Sequence, residues 1–194
     1  MYIDILQRWN ARVNLTAIRD EEEIVTRHLG ESLFAARHLF PATADDRRLT
    51  TSNIPVADLG SGAGFPGIPI KLWAPDISLT LIESNHKKAT FLREVTRALT
   101  LTDIDIQNVR AETLPEAQFD VVTLRAVEQF ESTLRVAARL VRPGGRLALL
   151  IGSAQISQAG SMLPAFGWAE PIPIPASSSR RLLLGMNPQG YESR

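Results

Sequence analysis

The stretch of this chain whose residue types and spacing can do chemistry is Val56-Ala57-Asp58-Leu59-Gly60-Ser61-Gly62-Ala63-Gly64-Phe65-Pro66-Gly67. A short apolar run ends in an acid, and three glycines follow at every second position. A strand that feeds a glycine-rich turn and then a helix leaves a hole shaped for a nucleotide. Glycine suits that turn because the backbone must approach a ligand closely, at dihedral angles that other residues resist. A tight strand-to-helix turn with no ligand is the plainer reading. The spacing separates one ligand from another. A dinucleotide fingerprint, G-x-G-x-x-G, would put its last glycine where Phe65 stands; here the glycine falls one residue earlier, at Gly64.

The pattern D-x-G-x-G-x-G is similar to the first motif of S-adenosylmethionine (SAM) methyltransferases. In that fold the acid at the strand end, Asp58, reaches the ammonium of the methionine part; a capping or turn-stabilising Asp is the alternative. Glu83 ends the next strand, 23 residues after Gly60. An acid at that place meets ribose hydroxyls, which donate and so want a carboxylate. Ala111-Glu112 follow the third strand, where a backbone N–H can contact adenine, although Glu112 also reads as a plain surface charge. Arg125 follows the fourth strand, at the C-terminal edge where open α/β sheets bind ligands. It is the candidate for orienting substrate or cofactor. His28 is open between a functional role and an exposed or capping one. Three scattered histidines make no metal site, so no metal is expected.

Helices and strands must position these residues. Ile5, Leu6, Trp9 and Val13 fall at helical spacing. Asp20 followed by Glu21, Glu22 and Glu23 reads as a capped helix start with acids in its first turn. The helix is predicted to run to about Leu39, before Pro41, with Ile24, Val25, Leu29, Leu33 and Phe34 as its apolar face. Ala42 to Asn53 reads as a loop. Strands are then predicted at Val56–Leu59, Ser78–Ile82, Ile104–Val109, Phe119–Leu124 and Arg146–Ile151. Helices are predicted at Gly67–Trp73, with Pro69 in its first turn, at Lys87–Leu99, and at Ser132–Leu140. This alternation implies a parallel sheet covered on both faces. The proline-rich Ala169–Pro175 can only be an edge strand. With Arg181–Leu184 it would make an antiparallel hairpin at the sheet edge. The fold class is α/β, Rossmann-like and mostly parallel. An N-terminal helical extension (1–53) packs on a SAM-binding domain (54–194) within one globular unit.

The chain has no cysteine. That excludes disulfides, thiolate metal sites, iron–sulfur clusters, radical SAM chemistry and a cysteine nucleophile. No apolar run approaches the length of a membrane span, and no signal-peptide pattern opens the chain, so a cytoplasmic protein without a membrane partner is expected. Formal net charge is zero, which argues weakly against a large nucleic-acid surface but leaves room for a local basic patch. No Asp-Pro-Pro-Tyr-like segment follows the fourth strand, where Leu124-Arg125-Ala126-Val127 stands. That disfavours methylation of an exocyclic amine on adenine or cytosine.

Several separated segments resemble one family, the ribosomal small-subunit methyltransferase G family, also called glucose-inhibited division protein B. They are Trp9-Asn10-Ala11-Arg12-Val13-Asn14-Leu15-Thr16, Arg27-His28-Leu29, Asp58 to Pro69, Lys87-Lys88 with Phe91-Leu92, and Arg125-Ala126. W-N-x-x-x-N-L-T and G-x-P-G-I-P are not shared by SAM enzymes in general. The resemblance implies transfer of methyl from SAM to N7 of a guanine in the 530-loop region of 16S ribosomal RNA. It implies cofactor contacts at Gly60, Phe65, Ala111, Glu112 and Arg125, joined by Asp58, Gly62, Gly64 and Glu83 from the motif reading. Leu124, Ile151 and Glu31 depart from the family's usual residues. The expected partner is 16S rRNA within a small-subunit particle, with no DNA, and the expected state is a monomer. Arg8, Arg12, Arg19, Arg27, Arg125 and Lys87-Lys88 are candidates for gripping RNA. Readings outside the family remain: a SAM enzyme acting on a small molecule or a protein, a non-catalytic SAM-binding module, or an NAD-dependent enzyme.

Overall fold

The computed structural model describes residues 1–41, 53–126 and 129–188. Except for Asn53, the predicted loop Ala42–Asn53 lies outside them.

Helix α1 (Tyr2–Asn10) buries Tyr2, Ile5 and Leu6. It stops at Asn10 because that side chain turns the chain back. Its Oδ1 accepts the Leu15 and Thr16 N–H groups at 2.9 and 3.0 Å, and its Nδ2 donates to the Thr16 carbonyl at 2.9 Å. Val13 therefore lies beyond the helix. The next helix starts as predicted, with Asp20 Oδ1 accepting the Glu23 N–H at 2.8 Å. It is three pieces: α2 (Glu21–Glu23), a π-helical segment (Ile24–Gly30) and α3 (Glu31–Leu39).

The predicted apolar face of this helix needs correction. Val25 is 45% exposed and Leu33 37% exposed. The buried positions are Ile24, His28, Glu31, Ser32, Ala35, Ala36 and Leu39. A π turn holds more residues than an α turn, so it rephases everything after it relative to a constant 3.6-residue period. Two polar side chains, His28 and Glu31, are thereby turned inward.

The strands are β1 (Pro55–Leu59), β2 (Ser78–Ile82), β3 (Ile104–Gln107), β4 (Phe119–Arg125), β5 (Val141–Gly152), β6 (Gly167–Trp168), β7 (Ile172–Pro173) and β8 (Arg180–Met186). They form one sheet in the order β3-β2-β1-β4-β5-β8-β6, with β7 also on β8. The first five are parallel, and β8 is antiparallel to β5, β6 and β7. The β7–β8 hairpin stands where it was expected.

Helices α4 (Gly67–Trp73), α5 (His86–Ala98) and α6 (Phe130–Leu140) follow the predicted alternation. Helix α7 (Ala154–Met162) and strand β6 were not foreseen. Residues 154–162 carry mostly small and polar side chains and bury only Ala159, so no apolar stripe announces them. Alternate strand residues build two cores. Val56, Leu79, Leu81, Val121 and Leu150 join Ile5, Leu6, Ile24, Ala35, Ile68 and Phe91 on one face. Ala57, Ile82, Val122, Leu124 and Leu149 join Leu134, Ala137 and Ala159 on the other. The N-terminal helices thus share a core with the sheet.

Candidate active site

The chain leaves β1 for β2 on one side and returns to β4 on the other. That reversal opens a crevice at the C-terminal ends of β1 and β4. Gly60, Gly62 and Gly64 line the turn after β1 with φ of 68°, 54° and 86°. These are left-handed values that strain any residue with a Cβ. The three glycines nevertheless do different things. A Cβ on Gly62 would meet nothing closer than 3.7 Å, so that side is open for a ligand. A Cβ on Gly64 would meet Ile68 Cδ1 at 2.5 Å and the Tyr2 hydroxyl at 2.6 Å. Gly64 is therefore bare for packing against α1 and α4. The Tyr2 hydroxyl donates to the Ala63 carbonyl at 2.6 Å, so α1 grips the turn from behind.

Asp58 sits beneath the turn and is 1% exposed. Its Oδ2 accepts the Gly67 N–H at 3.1 Å, and its Oδ1 accepts the Thr123 hydroxyl at 2.7 Å. This geometry braces the turn and the start of α4. Burial raises its pKa to about 6, against the opposing hydrogen bonds from Thr123, Gly67 and Ser61 and the charge of Arg125. Glu83 is drawn to the same turn: Oε2 accepts the Gly62 N–H at 3.0 Å and Oε1 accepts the Asn85 N–H at 2.7 Å. Each carboxylate oxygen keeps a lone pair for a donor such as a ribose hydroxyl.

Ala111 and Glu112 form a single 3₁₀ turn with Thr113. Arg139 of α6 holds it by donating to the Glu112 carbonyl at 3.0 Å. Phe65 is buried, stacked on His28 at 4.8 Å and on Tyr2 at 5.3 Å between ring centroids. Its side chain faces the N-terminal helices, which leaves its backbone for any ligand contact.

Arg125 ends β4 with its guanidinium 6.0 Å from the Phe65 ring centroid. Nη2 donates to the Arg27 carbonyl at 2.8 Å and to Glu31 at 3.1 Å. Of the residues read as RNA-gripping, Arg125 is thus buried, Arg27 is paired with Glu23 at 2.6 Å, and Arg19 donates to the Asn10 carbonyl at 3.0 Å.

His28 is buried, contrary to an exposed or capping reading. Its Nε2 lies 2.7 Å from the Thr16 hydroxyl. Burial, then the charges of Arg125, Arg27 and Arg180, pull its pKa down to about 3. The unfolded chain binds a proton near pH 6.5 that folded His28 refuses. Its contribution is present above about pH 6.5 and is lost as pH falls toward 3. Asp58 acts in the opposite sense: its folded pKa lies above the unfolded one, so it stabilises at low pH and less as pH rises through about 6. His28→Gln is therefore expected to flatten the fall in melting temperature between pH 6.5 and 4.5, the window below histidine's ordinary pKa. A slope identical to the parent's in thermal melts would show that His28 does not titrate in this way.

Sequence reasoning passed over Tyr2, Thr123 and Arg180. Thr123 hides in the apolar run of β4 and gains its role only from the register that sets it opposite Asp58. Among the described residues no cluster of three or more His, Asp or Glu side chains is placed to hold a metal. The open side of Gly62 and the Glu83 carboxylate beside it fit an adenosine-bearing ligand.

The model of the family GidB, rRNA small subunit methyltransferase G, matches residues 1–161. The chain is similar to the ribosomal RNA small subunit methyltransferase G of Stenotrophomonas maltophilia (strain K279a), 40% identical over 188 residues, covering 94% of this chain and 82% of that protein. The protein of that name from Chloroflexus aggregans is 38% identical over 195 residues, covering 94% of this chain and 78% of its own. Two solved structures share the fold. A SAM-dependent methyltransferase from Aquifex aeolicus has a TM-score of 0.58 at 14% identity, covering 79% of this chain and 93% of that one. M. jannaschii TYW2 in complex with AdoMet has a TM-score of 0.56 at 15% identity, covering 75% of each. A Rossmann-like sheet with a glycine turn and acid at its switch point, read with these matches, means that the chain belongs to the rRNA small subunit methyltransferase G family, whose members are SAM-dependent methyltransferases.

Proposed function

We propose that this protein transfers a methyl group from SAM to N7 of a guanine in the 530-loop region of 16S rRNA. It acts in the cytoplasm as a monomer on RNA within a small-subunit particle. The observation that carries this reading is the family match across residues 1–161. No helix among the described residues is long and apolar enough to cross a membrane.

Guanine N7 carries an in-plane lone pair and no proton, so its attack requires no general base. Bound SAM supplies the electrophile, a methyl group on a sulfonium. The residues of this chain need only bind and align. Glu83 offers acceptors for the ribose, the Gly60–Gly62 backbone lets the ligand close on the turn, the Ala111-Glu112 backbone meets the adenine, and Arg125 orients cofactor or target base. Alignment of this kind supplies roughly 7–11 kcal/mol in well-oriented reactions. This chemistry asks for alignment at the sheet edge rather than for an acid–base dyad.

The RNA is gripped beside the site. Arg8, Trp9, Arg12 and Lys87 line an open groove of about 700 Å³ between α1 and α5. Glu94 in its wall accepts the Trp9 indole N–H at 2.9 Å and lies 4.0 Å from Arg8. Arg12 and Lys87 are exposed there, a local basic patch on a chain with no net charge, which suits a phosphate backbone.

The test is methyl transfer from labelled SAM to small-subunit particles that lack the modification, followed by mapping of the labelled base. Label is expected as 7-methylguanine in the 530 loop, with poor transfer to short naked oligonucleotides. Label confined to protein or to a small molecule would overturn the reading.

A further inference from the structure

Two buried side-chain nitrogens, His28 Nδ1 and Arg125 Nε, have no hydrogen-bond partner among the described residues, and a third, Arg180 Nε, has only an ion-pair contact, with Glu31, that is not aligned as a hydrogen bond. Such atoms are rare in folded proteins and mark strain or function. All three fall in one cluster. His28 and Arg125 both sit against the Phe65 ring. Glu31 Oε2 joins the two arginines, 3.1 Å from Arg125 Nη2 and 3.0 Å from Arg180 Nε.

The cluster is assembled by three separate parts of the fold. The π turn before α3 points Glu31 inward, and Glu31 is 3% exposed. Arg125 ends β4 opposite Leu150 of β5, and Arg180 opens β8 opposite Gly152. The Arg180 guanidinium spans that offset, donating to the Leu150 carbonyl at 3.2 Å. One carboxylate shared by two guanidiniums is an arrangement that costs desolvation and contributes little to stability against apolar replacements. Its merit is geometric: it fixes where Arg125 points.

We propose that Glu31 and Arg180 are positioning residues for methyl transfer. Glu31 holds Arg125 at the sheet edge through its Nη2, and Arg180 holds Glu31 from the far side. The N-terminal helices are in this way part of the alignment of the reacting groups. The inference rests on the reading above, in which Arg125 orients cofactor or target.

A double-mutant cycle tests it. Glu31→Gln keeps the shape and removes the charge, and Arg125→Lys keeps the charge and removes the fork. Each is expected to lower kcat on small-subunit particles about 10- to 100-fold, with KM within about threefold of the parent. The double variant should be no slower than the slower single one, because Glu31 acts only through Arg125. Glu31→Asp should restore part of the loss, and Arg180→Lys should lower kcat in the same sense. Losses that multiply in the double variant, or Glu31→Gln at parental kcat, would overturn the proposal. If Glu31→Gln does not fold, Glu31→Asp takes its place in the cycle. If the parent protein transfers no methyl to any particle, it is the functional reading that fails. The same cycle is then read in SAM affinity by calorimetry, where multiplying losses overturn the positioning role and non-multiplying losses sustain it.

Discussion

Gly60→Asp is expected to abolish SAM binding and, with it, methyl transfer, by at least about 100-fold or ~2.7 kcal/mol. Two effects add at this position. The first is backbone strain. Gly60 has a φ of 68°, and a residue with a Cβ in the left-handed region costs on the order of 1 kcal/mol, with Asp among the more tolerant. The second effect is larger. The new carboxylate would stand in the turn that also holds Glu83, which accepts the Gly62 N–H. The longer side chain would take up space that a ligand needs to close on the turn, whose open side lies at Gly62. Gly60→Ala separates the two effects, since it brings the strain with far less bulk. It should retain weakened binding while the Asp variant retains none. Calorimetric titration with SAM reads both. Parental affinity in Gly60→Asp would mean that this turn does not hold the cofactor.

Lys71→Met is expected to destabilise the fold strongly without touching the chemistry. Lys71 lies on α4 and is 1% exposed. Its Nζ donates to the Pro75 carbonyl at 2.7 Å and to the Ile77 carbonyl at 2.6 Å, tying down the chain between α4 and β2. Burial draws its pKa below lysine's ordinary value, with Asp103 and Asp76 acting the other way. Methionine fills similar space but leaves both carbonyls without this donor. Buried acceptors that lose a charged donor cost about 2–4 kcal/mol. For a chain of this size that is a fall in melting temperature of ~5–15 °C. The connection enters β2 at its N-terminal end, opposite the edge that carries the site. Turnover at 25 °C should therefore stay near the parental value. A melting temperature within a degree or two of the parent would show that the ammonium contributes nothing net at this position.

The strand and helix alternation from β1 to β5 was legible because apolar runs and turn residues are local signals. So was the cap at Asp20, which needs only its own first turn. The register was not legible. Thr123 reads as one polar residue in the apolar run of β4, yet it donates to Asp58 across the sheet. The π segment was equally hidden, since a period of 3.6 assumes a regular helix. Its consequence is that Val25 faces solvent and Glu31 faces the core.

From the sequence alone came the turn, its spacing, and the family segments around it. Local spacing determines which backbone shape is accessible, and that shape selects a class of ligand. What only the tertiary structure decided is the division of labour inside that turn and around it. Gly62 is open while Gly64 is bare for Tyr2 and Ile68, because α1, from the far N-terminal end of the chain, brings Tyr2 against one glycine and not the other. Asp58 braces the turn because β4 sets Thr123 beside it. Arg125 is gripped by Glu31 because a π turn 94 residues earlier points that acid inward. Contacts at such separations leave no trace in a local pattern, since they depend on the summed rotation and register of every element between them.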